Sequence, residues 1–238
     1  MSEDTLLGTV FQLLPGISKL ISAAGMLVIG LFAILPQATG TAVKTAEYQP
    51  VANLVRPYNV VTGKTDSNVM VIEFVDFQCP YCGQIDPTFT QIQTEYKDKV
   101  KFVTKMYPLP IHSNAKISAY GALAANNQGK FKEYKDKLFA SQDNPGLSAK
   151  TQENIAREIG LDMDKWNRDR VSDEIKERVA TDVKDGETAK IPVEEGSTET
   201  GPVDGTPSFV FVKNDKVLYK KGVMTADEFR ANLNKLLQ

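Results

Sequence analysis

Hydrophobic and polar positions divide this chain into two kinds of material. From Leu20 to Val43 there is no formal charge over 24 residues, and the centre, Leu20–Leu35 (LISAAGMLVIGLFAIL), is almost wholly apolar. A bilayer-spanning helix needs about 17–25 such residues, so the run is at the short end of sufficient. A secretory signal peptide fits as well. Lys19 is then the positive n-region, Leu20–Leu35 the h-region, Pro36 the breaker, and Ala38-Thr39-Gly40 or Gly40-Thr41-Ala42 the cleavage site. The length of the run, and the acids Glu3 and Asp4 ahead of it, lean towards an uncleaved anchor. A buried core helix fits less well, because no polar face or cap accompanies the run. Residues 1–46 are therefore read as a signal peptide or membrane anchor with its linker. A signal peptide puts the remainder outside the cytoplasm, and an anchor does so in one of its two orientations.

Beyond the linker the pattern changes to short periodic elements. Val55–Val61 reads as a short strand, and Asn68–Phe77 (NVMVIEFVDF) is a β-branched and aromatic run long enough for a buried central strand. Pro80 suits the first position of a helix, and Gln84–Lys97 continues it with Ile85, Phe89, Ile92 and Tyr96 on one face. Val100–Tyr107 then predicts a second strand, which makes a right-handed βαβ unit. From Ser113 to about Asp185 the pattern is mostly helical, with stretches at Ala115–Ala125, up to Phe139, Thr151–Ile159 and Asp164–Val183. The charge run Arg168–Lys184 reads as a solvated helix face. Asp185–Asp204 reads as a loop, Ser208–Val212 and Lys216–Lys221 as a hairpin, and Thr225 as the cap of a last helix to Leu237. The expected architecture is an α/β core built from residues 47–112 and 204–238, with a helical insertion and loop over 113–203.

Composition narrows the functions available. Lys and Arg number 28 against 30 Asp and Glu, a formal net charge of −2, so no cationic field draws the chain to nucleic acid. Two cysteines and one histidine leave too few ligands for a four-ligand zinc site or an iron–sulfur cluster within one chain, and no metal is expected. Any disulfide chemistry must run through Cys79 and Cys82.

Those two cysteines, in Cys79-Pro80-Tyr81-Cys82, stand at the predicted junction of strand and helix. Free amide groups and the helix dipole at a helix N-terminus favour an anion, so Cys79 is the expected thiolate. Such sites ionise at about pH 3.5–7.5, against about 8.5 for a free cysteine. Tyr81 adds no positive charge, so Cys79 is expected inside that range rather than at its acidic limit. Cys82, one turn in and deeper, is suited to resolving a mixed disulfide. As a structural staple the pair is poor. Closing so short a loop stabilises by only about 2 kcal/mol in the chain-entropy model, against about 4.7 for a hundred-residue loop. A two-cysteine half metal site shared between chains is the remaining alternative.

Three further residues enter. Glu73 interrupts an apolar strand and shares the nominal face of Val75, Phe77 and Cys79, so it is expected beneath the cysteine pair, facing water only if the strand lies at an edge. Burial would raise its pKa and let it exchange a proton with Cys82. Pro207, before Ser208–Val212, is either an edge feature or a cis X-Pro bond. His112 reads as a structural or surface residue.

The run Glu73–Cys82 (EFVDFQCPYC), the segment Pro108–His112 (PLPIH), the helical insertion and Gly205–Phe209 (GTPSF) together resemble the DsbA-like thioredoxin-fold oxidoreductases, over about Val55 to Leu237. The resemblance implies a thioredoxin-like fold, a mixed sheet flanked by helices with an all-helical insertion. It implies Cys79 as nucleophile, Cys82 as resolving thiol, Glu73 as the buried acid, and Pro207 as a cis-proline. Thr206 then lines a client-peptide groove beside the disulfide, together with Pro80 and Tyr81. No cofactor beyond the Cys79–Cys82 disulfide is implied. The partners expected are cysteine-containing clients, a redox partner in the membrane, and the membrane itself through the N-terminal segment. The middle dipeptide Pro80-Tyr81 differs from the Pro-His of strongly oxidising members. The direction therefore stays open between an oxidase, which is preferred, and a reductase or isomerase, with a non-catalytic peptide-binding module as a third reading.

Overall fold

The computed structural model describes residues 51–193, 197–214 and 216–238. The apolar run Leu20–Leu35 and the candidate cleavage sites lie outside these residues. Among the described residues, no helix is long and apolar enough to cross a membrane.

A five-stranded mixed sheet is the scaffold. Strands β1 (Val60–Gly63), β2 (Val69–Val75), β3 (Lys101–Met106), β6 (Ser208–Lys213) and β7 (Lys216–Lys221) lie in the order β1-β3-β2-β6-β7. β2 pairs parallel with β3, across the crossover helix α1 (Pro80–Glu95), and antiparallel with β6. Its VMVIEFV sequence is buried at six of seven positions because both faces are covered. Val69 and Val71 point to the side of α1 and the last helix, α7 (Ala226–Leu237), where Phe89, Phe209, Phe211 and Phe229 close a core. Phe209 meets Phe229 edge-on at 5.0 Å between centroids and Phe89 at 5.1 Å. Thr225 opens α7 with a capping box to Glu228.

Helices α2 (Ala115–Asn126), α3 (Phe131–Ala140), α4 (Ala149–Glu158), α5 (Met163–Asp169) and α6 (Asp173–Thr188) follow β3. Trp166 is fully buried among them and donates from Nε1 to Gly121 O at 3.0 Å. Small strands β4 (Ile191–Pro192) and β5 (Thr200–Gly201) form a separate ladder.

Four local expectations are corrected. The strand expected from Val55 begins at Val60. Val51–Leu54 form a 3-10 turn, and Arg56–Asn59 turn back on themselves through Arg56 N to Asn59 Oδ1 at 2.7 Å. The stretch Asp164–Val183 is two helices, because Ser172 breaks out of the helical conformation to cap Ile175 N. The region from Asp185 is not loop at its start, since α6 runs on to Thr188.

The Arg168–Lys184 run is also not wholly solvated. Asp182 is buried, and with Asp185 just beyond the run it meets Lys105 on the sheet face opposite α1. Lys105 Nζ is completely enclosed and touches Asp182 Oδ1 and Asp185 Oδ2, each at 2.8 Å, and Leu54 O at 2.6 Å. Asp182 Oδ2 also accepts Met106 N at 2.9 Å, so the carboxylate ties α6 to the end of β3.

Candidate active site around Cys79 and Cys82

β2 delivers the chain to Asp76, and a tight turn then hands it to α1. Cys79 N donates to Asp76 O at 3.1 Å, and Cys82 N and Gly83 N both donate back to Cys79 O at 3.0 and 3.2 Å. Cys79 is the N-cap residue and Pro80 the first helical one, where a proline's missing N–H loses nothing. Gln142, after α3, holds the turn from outside, its Nε2 donating to Phe77 O at 2.7 Å and Cys79 O at 2.9 Å. Gly83 leaves room for it, since a Cβ there would stand 2.2 Å from Gln142 Oε1.

Both cysteines are free thiols and both are buried, Cys79 with 4% and Cys82 with 1% of its surface exposed. Cys79 Sγ lies 3.3 Å from Thr206 O, and the Thr206–Pro207 bond is cis. The two sulfurs are electrostatically unlike. The Cys79 pKa is pulled down to about 5, first by the hydrogen bond from the Cys82 thiol. Burial opposes that pull, and Thr206 and the amide groups of residues 81 and 82 add to it. Burial pushes the Cys82 thiol well above its ordinary value, and the neighbouring Cys79 sulfur pushes it further.

Cys79, Pro80, Tyr81 and Thr206 line one cavity of about 610 Å³, which also takes in Ile111 and His112. Its rim is unusually apolar for exposed surface, with Tyr81 62% and Ile111 82% exposed. Pro207 follows Thr206 directly and its carbonyl accepts Gly222 N at 2.9 Å. Glu73 stands apart from these. It opens into a second cavity of about 260 Å³ between α1, α3, β1 and β3, lined also by Thr104, Thr90 and Lys135. Thr104 Oγ1 donates to Glu73 Oε2 at 3.4 Å. Burial lifts the Glu73 pKa to about 7, Lys135 draws it down and Asp86 pushes it up. Lys135 is itself paired with Asp86.

The sequence reading missed Gln142, Lys135 and Asp76. Asp76 is completely buried and accepts Gln78 N, Leu109 N and the His112 ring. An aspartate just past a buried strand is a faint signal for such a hub, and Gln142 and Lys135 carry none. Among the described residues no group of three or more His, Cys, Asp or Glu side chains could hold a metal ion.

A Cys-X-X-Cys at the mouth of a crossover helix, facing a cis-proline on the neighbouring strand of a mixed sheet, defines the thioredoxin-fold thiol–disulfide oxidoreductases. The chain belongs to the thioredoxin family, which it matches over residues 56–234.

Solved structures agree in fold. A thioredoxin-like oxidoreductase from Silicibacter pomeroyi superposes with a TM-score of 0.62 at 24% identity, covering 76% of this chain and 94% of that one. The α-DsbA1 protein of Wolbachia pipientis gives 0.65 at 17%, covering 79% and 95%. Its α-DsbA2, described as a thiol-disulfide exchange protein, gives 0.59 at 21%, covering 75% and 87%. Among curated proteins, the sodium–proton antiporter NhaA 3 of Salinispora tropica is 32% identical over 150 residues, 63% of this chain but 21% of that protein. NhaA 1 of Mycobacterium sp. strain KMS is 31% identical over 165 residues, 66% and 26%. The chain thus spans between a fifth and about a quarter of the length of these curated relatives.

Proposed function

We propose that this protein is an extracytoplasmic thiol–disulfide oxidoreductase that oxidises client cysteines through Cys79 and Cys82. The observation that carries the reading is the split between the two sulfurs, one held as a thiolate near neutral pH and one held as a thiol. A client thiolate attacks Cys79 of the disulfide, and Cys82 leaves with the electron pair and takes up a proton. The client's second thiolate then displaces Cys79, a good leaving group because its pKa is low. Thr206, Pro207, Pro80 and Tyr81 form the wall against which the client segment lies.

A stabilised Cys79 thiolate favours the reduced enzyme, so the pair is oxidising. Between thioredoxin (thiolate pKa about 7, potential about −270 mV) and DsbA (about 3.5 and −120 mV), a pKa near 5 corresponds to about −180 mV. Equilibration of the pair with glutathione buffers tests this. A value near that of thioredoxin removes the oxidase reading and leaves a reductase or isomerase.

Glu73 is proposed as the proton exchanger for Cys82, from its burial in the strand that leads to Cys79 and its elevated pKa. Its folded-state pKa is raised, so the folded protein binds its proton more tightly than the unfolded chain does. Stability therefore falls as pH rises from about 4.5 to about 7 and is level above that. Glu73→Gln removes the penalty. The variant should match the wild type near pH 4 and exceed it above pH 7 by about 3 kcal/mol, read from urea melts at both pH values. The pH dependence of exchange should change with it, and an unchanged profile removes the proton-transfer role.

The N-terminal apolar run supports export and a place at the membrane, where a redox partner would reoxidise the pair. Whether that run is cleaved or kept is separated by the intact mass of the exported protein.

A further inference from the structure

One arrangement beside Cys79 has no task in this scheme. His112, the sole histidine of the chain, stands on the loop after β3 and lines the cavity that holds Cys79, Tyr81, Thr206 and Lys221. Its Nδ1 lies 2.7 Å from Asp76 Oδ2. That carboxylate is fully enclosed, and backbone N–H groups pin both its oxygens, Gln78 N at 2.7 Å to Oδ1 and Leu109 N at 2.8 Å to Oδ2. A carboxylate acceptor assigns the proton to Nδ1 and leaves Nε2 as the ring's acceptor. The side chain keeps 18% of its surface exposed, so Nε2 is the nitrogen left for a molecule bound in the cavity.

The other titratable groups around this cavity do not compete for the task. Tyr81 is a phenol, and Lys221 is a cation paired with Asp204 at 2.9 Å. Cys79 is consumed in the reaction itself.

We propose that His112, oriented by Asp76, is a catalytic base that takes the proton of the attacking client thiol. The inference rests on the oxidoreductase reading. The client S–H proton passes to His112 Nε2 as the client sulfur attacks Cys79. The client–Cys79 bond forms, the Cys79–Cys82 bond breaks, and Cys82 takes a proton. His112 returns its proton to water. The client's second thiol loses its proton to solvent, its sulfur closes the client disulfide, and Cys79 leaves as the thiolate. The client loses two electrons and two protons, the enzyme gains two electrons and one proton, and one proton is released.

The base serves the client and not the enzyme. Cys79 needs no help to ionise, whereas a client thiol with an ordinary pKa of about 8.5 is only about 3% thiolate at pH 7. Complete ionisation in the cavity therefore gains at most about 30-fold at that pH. It gains almost nothing where the client ionises unaided.

The test is the second-order rate constant for oxidation of a dithiol peptide by the full-length disulfide form, across pH, for the wild type and His112→Gln. The expected loss is about tenfold at pH 7, shrinking below about twofold at pH 9. In His112→Gly, added imidazole should restore part of the rate at neutral pH. A loss equal at both pH values with no imidazole rescue, or no loss at all, overturns the role. A wild type that fails to oxidise the peptide overturns the oxidoreductase reading and this role with it. A wild type that turns over with His112→Gln keeping pace at every pH rejects only the role of His112.

Discussion

Cys79→Ser should bring oxidation of a dithiol peptide to the limit of detection, a loss of about 10⁴-fold or more. A serine oxygen forms no disulfide and is not ionised at pH 7, so neither the bond that the client attacks nor the leaving group that completes the reaction exists. The loss is a matter of chemistry and not of packing, because the buried volume hardly changes. Cys82→Ala should behave differently. Its Cys79 loses the hydrogen bond from the Cys82 thiol but keeps the amide groups at the mouth of α1, and its thiolate form attacks a disulfide-bearing client and releases the client's other sulfur as a thiolate. With no second thiol to displace the client, the covalent adduct accumulates and appears as a shifted band on a non-reducing gel. Turnover in Cys79→Ser above a tenth of the wild type, or absence of the adduct in Cys82→Ala, would remove Cys79 from the nucleophile's role.

Lys105→Met is expected to destabilise the fold by about 3–5 kcal/mol, the range for removing one partner of a buried ion pair. Lys105 Nζ is fully enclosed and serves Asp182, Asp185 and the Leu54 carbonyl together. Asp185 keeps Arg56, whose Nε lies 2.9 Å from its Oδ2. Asp182 keeps only neutral donors, Asn59 Nδ2 at 3.0 Å and Met106 N at 2.9 Å among them. Burial already holds the Asp182 carboxyl above its ordinary value, with Lys105 drawing it back down, so in the variant its folded-state pKa rises further above the unfolded one. The deficit is therefore largest above neutrality and narrows as pH falls towards about 4. Urea melts at pH 8 and pH 5 read both the size and the trend. A loss below about 1 kcal/mol at pH 8 would mean that the cluster is neutral in effect.

Legibility in the sequence followed the range of the interactions concerned. The run VMVIEFV and the 3–4 spacing of Ile85, Phe89 and Ile92 are readable because strand and helix periodicity are local. The strand-to-helix junction around Pro80 is readable for the same reason. Boundaries that depend on turn chemistry were harder. Ser172 divides the stretch Asp164–Val183 because its hydroxyl caps Ile175 N, a choice the charge pattern does not announce. The Arg168–Lys184 run looks solvated by composition, yet Asp182 within it is buried because β3 offers Lys105 across the sheet.

Read alone, the amino-acid chain carries the alternation of elements, the placement of one Cys-X-X-Cys at a helix N-terminus, and the confinement of any disulfide chemistry to that pair by the scarcity of cysteine. Which group meets which is visible only in the fold. Thr206 reaches Cys79 from 127 residues away, Lys105 meets Asp185 across 80, and Asp76 holds His112 across 36. Proton affinity and charge strength depend on burial and on the partner within a few ångströms, and neither quantity is carried by the local pattern of the chain. Two cysteines three residues apart look alike in sequence. In the folded protein one sulfur sits at a helix end, where the Cys82 thiol and the amide groups of residues 81 and 82 donate to it, and the other is buried behind it, and that difference in surroundings separates a thiolate from a thiol.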